Sequence, residues 1–329
     1  MVVITGATGH IGNVLVRQLL ANGEQVKVII PPAEDTIPIN GLKTEIIEGD
    51  VRDINSLVIA FTGSDIVYHL AGIISIIAGR DNLLHQVNVL GTQNVINACM
   101  QTDVKRLVYI SSIHAIEEPP QKTMIDETLS CNPDKVPNGY GISKARATLS
   151  VLKAVEKGLN AVIVHPTGVI GPYDYRISEM GQLIIDFVNN KLKVYIDGAY
   201  DFVDVRDVAN GIILAGNKGG KGERYILSGE QISVRQILSI LQRISGVQAP
   251  SFKIPIWLAR IVAKISPLYY RITHNTPRFT NYSIDVLCSN SLVCSEKARK
   301  QLGFTSRPIE QSLKDAFFWF KENGYISHG

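Results

Sequence analysis

In Tyr140-Gly141-Ile142-Ser143-Lys144 a phenol and an ammonium stand four residues apart, a spacing that on a helix puts both on one face. The neighbouring cation favours the phenolate and is expected to lower the Tyr140 pKa from its ordinary value of about 10. The phenol could then give or take a proton near neutral pH while a hydride moves. Upstream, Leu107-Val108-Tyr109-Ile110-Ser111-Ser112 reads as an apolar strand ending in two hydroxyls, at the carboxyl end of a strand, where α/β sites gather. Ser112 is expected to hydrogen-bond a substrate oxygen. For Ser111, capping the strand end is an equally fair reading.

A second set of residues is suited to holding phosphate. Thr5-Gly6-Ala7-Thr8-Gly9-His10-Ile11-Gly12 follows the first apolar run and opens the first amphipathic one. There a dinucleotide pyrophosphate can approach bare backbone and a helix N-terminus. The spacing is G-x-x-G-x-x-G, one residue looser than the G-x-G-x-x-G of larger dehydrogenases. An acid about 20 residues further on would accept the ribose hydroxyl of NAD, and an Arg there would favour NADP. The second strand instead ends Ile29-Ile30-Pro31-Pro32, followed by Glu34 and Asp35, which would repel a 2′-phosphate if they face it. NAD or NADP both remain open, with a lean to NAD.

Positioning these residues requires a layered scaffold. Strand-like runs at Val2–Ile4, Val26–Ile30, Thr44–Ile47, Ile66–His69, Leu107–Ile110 and Ala161–Val164 alternate with amphipathic stretches at Ile11–Leu20, Ile54–Phe61, Val87–Met100 and Tyr140–Glu156. Continuous apolar strands spaced by helices imply an α/β fold, a doubly wound parallel sheet covered on both faces. Residues 1–170 are expected to form a dinucleotide-binding domain, with 201–215 returning to it, and 171–329 a smaller, mainly helical substrate lobe. In that lobe Ile254–Ile265 and Phe317–Phe320 carry apolar residues at helical spacing.

Composition excludes several classes of function. With 33 basic and 30 acidic side chains among 329 residues, the net charge is only +3, and no Lys/Arg run marks a nucleic-acid or polybasic membrane surface. The four cysteines lack zinc-site or redox-dithiol spacing, and none of the seven histidines pairs at i, i+4 or with cysteines, so no metal is expected. Leu70–Ala78 is about half the roughly 20 residues of a membrane span. The opening Val2-Val3-Ile4 reads as a strand rather than a signal peptide, and the reading is of a cytoplasmic protein with a small-molecule substrate.

Taken in order, these motifs resemble the extended short-chain dehydrogenases/reductases, the NAD-dependent epimerase/dehydratase family, most clearly over residues 1–215. The resemblance implies a Rossmann fold and a role for Gly6, Gly9, His10, Ile11 and Gly12 at the cofactor. It implies that Asp50 and Val51 of Gly49-Asp50-Val51 meet the adenine, and that Leu70, Ala71 and Gly72 wall the cofactor. Pro166 and Val169 of the segment His165–Pro172 would lie beside the nicotinamide, and Asn88 would be a structural helix asparagine. Ser112, Tyr140 and Lys144 match the catalytic positions, with Tyr140 and Lys144 also touching cofactor. A homodimer is suggested by the same likeness.

Within the family, dehydratases carry an Asp-Glu pair after the strand-end hydroxyl, and sugar epimerases a Tyr-Gly and an Arg-rich lobe; this chain has Ile113-His114 and Ala115-Ile116-Glu117. His114 either faces substrate or is satisfied by solvent. Trp257, Tyr269, Tyr270 and Phe279 suit a bulky apolar carbonyl compound, or are ordinary core. The pattern is similar to dihydroflavonol reductases and 3β-hydroxysteroid dehydrogenases. It implies hydride transfer between nicotinamide and a secondary alcohol or ketone, with a nucleotide-sugar epimerase or a non-catalytic redox sensor as alternatives.

Overall fold

The computed structural model describes residues 1–74, 81–263 and 281–326. The later part of the Leu70–Ala78 run, the end of the Ile254–Ile265 stretch and the aromatic residues Tyr269, Tyr270 and Phe279 lie outside them.

The apolar runs form strands β1 (Val2–Thr5), β2 (Val26–Ile30), β3 (Glu45–Glu48), β4 (Ile66–His69), β5 (Arg106–Ile110) and β6 (Ala161–Pro166). Between them lie helices α1 (His10–Ala21), α2 (Ile54–Phe61), α3 (Asp81–Leu84), α4 (Gly91–Gln101) and α5 (Gly139–Glu156). The chain continues through β7 (Gly168–Ile170), α6 (Glu179–Val188), β8 (Val194–Ile196), β9 (Ala199–Asp204), α7 (Val205–Lys218), β10 (Arg224–Leu227), β11 (Glu230–Ser233), α8 (Val234–Ser245) and β12 (Phe252–Ile254). Helices Asn281–Cys288, Glu296–Leu302 and Ile309–Glu322 follow.

Seven strands make one parallel sheet in the order β10-β6-β5-β4-β1-β2-β3. Why these runs are continuously apolar is visible in β1. Val2 and Ile4 pack on the face covered by α1 and α7, whereas Val3 packs on the opposite face with α2, α4 and α5. A strand buried on both faces has no polar side to alternate with. The strand order reverses at β1, between β2 and β4, so a crevice opens beyond the carboxyl ends of β1 and β4. β10 extends the sheet beside β6, an addition the sequence pattern does not reveal, because Arg224–Leu227 is short and preceded by a glycine-rich turn.

The second core gathers Ile184, Phe187, Leu241, Leu313 and Phe320 from α6, α8 and the last helix, with two small sheets, β11-β9-β7 and β12-β8, at its edge. Trp257 is no part of any core, being 64% exposed. The last helix is tied to α7 by ions: Arg206 on α7 reaches Asp204 at 2.7 Å and Asp315 at 2.6 Å.

One expected helix is broken in an informative way. Residues Val87–Met100 read as a single helix, yet His85–Leu90 winds as a π-helix before α4 begins at Gly91. Such wide turns cluster at functional sites, since they re-aim a side chain. Here the re-aimed side chain is Asn88. Its Oδ1 accepts from Ile73 N at 2.8 Å, and its Nδ2 donates to Ile73 O at 3.0 Å and to Ser143 Oγ at 2.9 Å. Asn88 thus clamps the segment after β4 to α5. Asn88→Ala should lower unfolding stability by about 1–3 kcal/mol, the cost of stranding buried polar partners. Urea unfolding should show a lower midpoint at unchanged slope; an unmoved midpoint would count against the clamp.

Candidate active site and cofactor cleft

The glycine loop joins β1 to α1 at the crevice. Gly6 has φ +75°, and a Cβ there would lie 2.6 Å from Ala71 N, so the loop can touch the β4 exit only without a side chain. A Cβ on Gly12 would lie 2.1 Å from Gly6 O. Gly9 differs: its Cβ would meet nothing closer than Gly6 O at 3.4 Å, leaving room above the loop. Helix α1 starts there with no side-chain cap and no acidic residue in its first turn. An uncapped N-terminus of this kind suits an anion such as a pyrophosphate. Thr5 Oγ1 bonds His69 Nδ1 at 2.7 Å and accepts from Ala71 N at 3.2 Å, locking the β1 and β4 exits together.

From Ala71 the wall runs to the reacting residues. A Cβ on Gly72 would sit 3.2 Å from Asn88 Oδ1 and 3.4 Å from Lys144 Nζ. Lys144 Nζ donates to Ile110 O at 2.8 Å and lies 5.2 Å from the centre of the Tyr109 ring. Burial pulls its pKa down to about 8. One turn earlier on α5, Tyr140 is buried, with the Ser112 hydroxyl near enough to favour its phenolate against the effect of burial. The helix is aimed by its Asn138 cap, whose Oδ1 accepts from Gly141 N at 2.7 Å.

The two strand-end serines separate cleanly. Ser111 Oγ turns away to Thr148 Oγ1 at 2.8 Å. Ser112 Oγ accepts from His114 N at 3.2 Å, on the side of Tyr140, while its carbonyl is held by His165 Nδ1 at 2.9 Å. Ser112, Tyr140, Lys144 and Gly72 therefore form one continuous cluster.

The expected lowering of the Tyr140 pKa is reversed in the protein alone. Burial pushes it up to about 12, and the nearby Ser112 hydroxyl offsets only part of that. The reason is geometric as well as dielectric, since the Lys144 ammonium makes its hydrogen bond to the Ile110 carbonyl. His114 resolves toward the protein interior: Nε2 bonds Tyr200 OH at 3.1 Å, and its ring stacks on Tyr200 and stands edge-on to Tyr140. Burial takes its pKa down to about 4, so its imidazole is neutral at physiological pH.

Other expected residues are more dispersed. His10 offers its backbone at the start of α1, but its side chain bonds Pro172 O at 3.0 Å; Ile11 is half-buried. Asp50 lies beyond β3 with both carboxylate oxygens on Arg52, which holds its pKa below the usual range, and Val51 packs against Gly91. Leu70 packs on the sheet core, Pro166 ends β6 opposite Leu227, and Val169 pairs Val203 in β7. Among the described residues no cluster of three His, Cys, Asp or Glu could hold a metal, and no helix is long and apolar enough to cross a membrane.

Sequence reasoning missed a strap. Residues Pro172–Arg176 run along α1: Asn13 Nδ2 donates to Tyr173 O at 3.1 Å, the Arg17 guanidinium lies 4.7 Å from the Tyr173 ring centre, and Arg176 pairs with Glu34. No spacing rule links residues so far apart in the chain, and the Gly171-Pro172 turn was the sole local sign.

A doubly wound sheet with a glycine loop at its switch point, and with Ser112, Tyr140 and Lys144 gathered across the crevice, defines a dinucleotide-dependent enzyme fold. The model of the NAD dependent epimerase/dehydratase family matches residues 2–228, and the chain belongs to that family. NAD is accordingly its cofactor. The chain is 36% identical over 325 residues to sterol demethylase protein B of Methylococcus capsulatus, covering 98% of this chain and 99% of the other. It is 29% identical over 344 residues to 3beta-hydroxysteroid-dehydrogenase/decarboxylase isoform 1 of Arabidopsis thaliana, covering 95% and 77%. The crystal structure of gox2253 superposes with TM-score 0.87 at 31% identity, covering 99% of each chain.

Burial of Lys144 has a pH signature. Its pKa is about 8 folded and 10.5 ordinarily, so between those values the unfolded chain binds more protons. Folding stability should therefore rise with pH in that window. Relative to Lys144→Met, the wild type should gain on the order of 3 kcal/mol from pH 8 to pH 10.5 in denaturant titrations. A pH-independent difference would mean the lysine is not buried as described.

Proposed function

We propose that the chain catalyses reversible hydride transfer between the nicotinamide of NAD(P) and a secondary alcohol or ketone of a bulky apolar small molecule. The observation that carries this is the burial of Ser112, Tyr140 and Lys144 together, with Tyr140 near Ser112 and one helical turn from Lys144. The bound cofactor supplies or accepts the hydride. Ser112 Oγ hydrogen-bonds the substrate oxygen and holds it against the Tyr140 hydroxyl, which protonates it on reduction and deprotonates it on oxidation. Lys144, lodged beside Gly72 on the cofactor wall, favours the tyrosinate and bonds the nicotinamide ribose.

The protein alone holds Tyr140 protonated, with its pKa up to about 12, which suits an acid waiting for a carbonyl. Gly6, Gly9, His10, Ile11 and Gly12 would take the pyrophosphate through backbone, Asp50 and Val51 the adenine, and Leu70, Ala71, Gly72, Pro166 and Val169 the rest. Support for an apolar substrate comes from relatives named for sterols and steroids, and from the neutral, ring-packed His114–Tyr200 wall beside Tyr140. A redox sensor has no chemical need for the three-residue set.

Screening NADH and NADPH oxidation against steroid, flavonoid, aldehyde and UDP-sugar panels tests this. Net nicotinamide oxidation with an apolar ketone is expected. Conversion of UDP-sugars alone, without net change in nicotinamide absorbance, would overturn it in favour of epimerisation.

A further inference from the structure

Beneath the crevice runs a row of polar side chains that the proton transfer itself does not use. Thr5, His69, Thr92, Asn88 and Ser143 are all buried, at 4% exposure or less. They come from β1, β4, the first turn of α4, the π-turn and α5, and each touches the next. Thr5 Oγ1 lies 2.7 Å from His69 Nδ1, His69 Nε2 lies 3.0 Å from Thr92 Oγ1, and Thr92 Oγ1 lies 2.7 Å from Asn88 O. Asn88 Nδ2 then donates to Ser143 Oγ, whose own proton goes to the Tyr140 carbonyl at 2.7 Å.

The protons in this row have one arrangement. A carbonyl only accepts, so the two oxygens of Thr92 and Asn88, 2.7 Å apart, require the Thr92 hydroxyl proton between them. Thr92 Oγ1 must then accept from His69, which places the imidazole proton on Nε2. Nδ1 is left bare and accepts from Thr5, whose oxygen in turn accepts from Ala71 N at 3.2 Å. Burial, with the Lys144 charge adding to it, pulls the His69 pKa down to about 3, so no second imidazole proton interrupts the row. Every donor therefore points one way, from the β4 exit beside the glycine loop to the first turn of α5. An imidazole carries its acceptor and its donor on different edges of one rigid ring, which lets it bridge β1 and α4. The His69 ring also lies against Tyr109, with centroids 5.6 Å apart, and Lys144 Nζ stands 5.2 Å from that same Tyr109 ring.

We propose that His69 and Thr92 are positioning residues for Tyr140: their one-way hydrogen bonds carry the placement of the β4 exit through Asn88 and Ser143 to the Tyr140 backbone, and so set where the phenol stands in the crevice. The inference rests on the reading of Tyr140 as the proton-transfer residue. Neither side chain touches the reacting atoms; each acts through the next group in the row.

Thr92→Val keeps the side-chain shape but removes both the acceptor and the donor, whereas Thr92→Ser keeps both. In the full-length protein with labelled tyrosine, the Tyr140 ring resonances, assigned through Tyr140→Phe, should shift in Thr92→Val and hold their wild-type positions in Thr92→Ser. With a carbonyl substrate, kcat should fall about tenfold in Thr92→Val while KM and NADH affinity stay within about threefold, and Thr92→Ser should recover the loss. Adding Ser143→Ala to Thr92→Val should lower kcat no further than the worse single variant, because both break one row. In the wild type, nitrogen NMR at neutral pH should show His69 as the neutral Nε2–H tautomer, an arm that needs no variant to fold. The Nδ1–H tautomer, Tyr140 resonances unmoved in Thr92→Val, a Thr92→Ser variant as impaired as Thr92→Val, or losses that add in the double variant would overturn the proposal. A wild type with these signatures but no turnover of any carbonyl would instead sink the reading of Tyr140 as the proton-transfer residue.

Discussion

The hydrogen bond from Lys144 Nζ to the Ile110 carbonyl fixes the rest of the site. It joins the second turn of α5 to the last residue of β5, and both reacting groups hang from that joint. Ser112 lies two residues past the acceptor, and Tyr140 one helical turn before the donor. An ammonium buried this deeply is costly unless it is hydrogen-bonded, and the carbonyl meets that need. The cost still shows in a pKa drawn down to about 8.

Around this joint the fold works as a set of clamps on the crevice. Thr5 and His69 bind the exits of β1 and β4, and Asn88 binds the segment after β4 to α5 through a π-turn. The glycines at positions 6, 12 and 72 let these pieces approach to contact. Gly9 alone of the loop glycines keeps space open. The strap Pro172–Arg176 then fastens the chain after β7 along α1, carrying the partner of Glu34.

Much of this was legible in the sequence because it is local. Continuous apolar runs signal strands buried on both faces, and Tyr140 and Lys144 share a helix whose period brings them together. The glycine loop is contiguous. What was not legible depends on tertiary proximity or on competition between effects. The π-turn at His85–Leu90 leaves an apolar pattern that reads as plain helix. The sign of the Tyr140 shift depends on burial outweighing the influence of the Ser112 hydroxyl, which spacing does not report. The enclosure of His114 by Tyr200, and of Glu34 by Arg176, joins residues 86 and 142 positions apart.

The central claim is that Tyr140 moves the proton. The most direct measurement pairs turnover with dinucleotide binding in Tyr140→Phe, using whichever carbonyl substrate the wild type reduces. The variant keeps the ring and its edge-on contact with His114 but has no hydroxyl to offer. Turnover should fall by about 10²–10⁴-fold, the typical share of a positioned acid or base, with NADH binding retained. Turnover at the wild-type rate in a variant that still binds NADH would contradict the account.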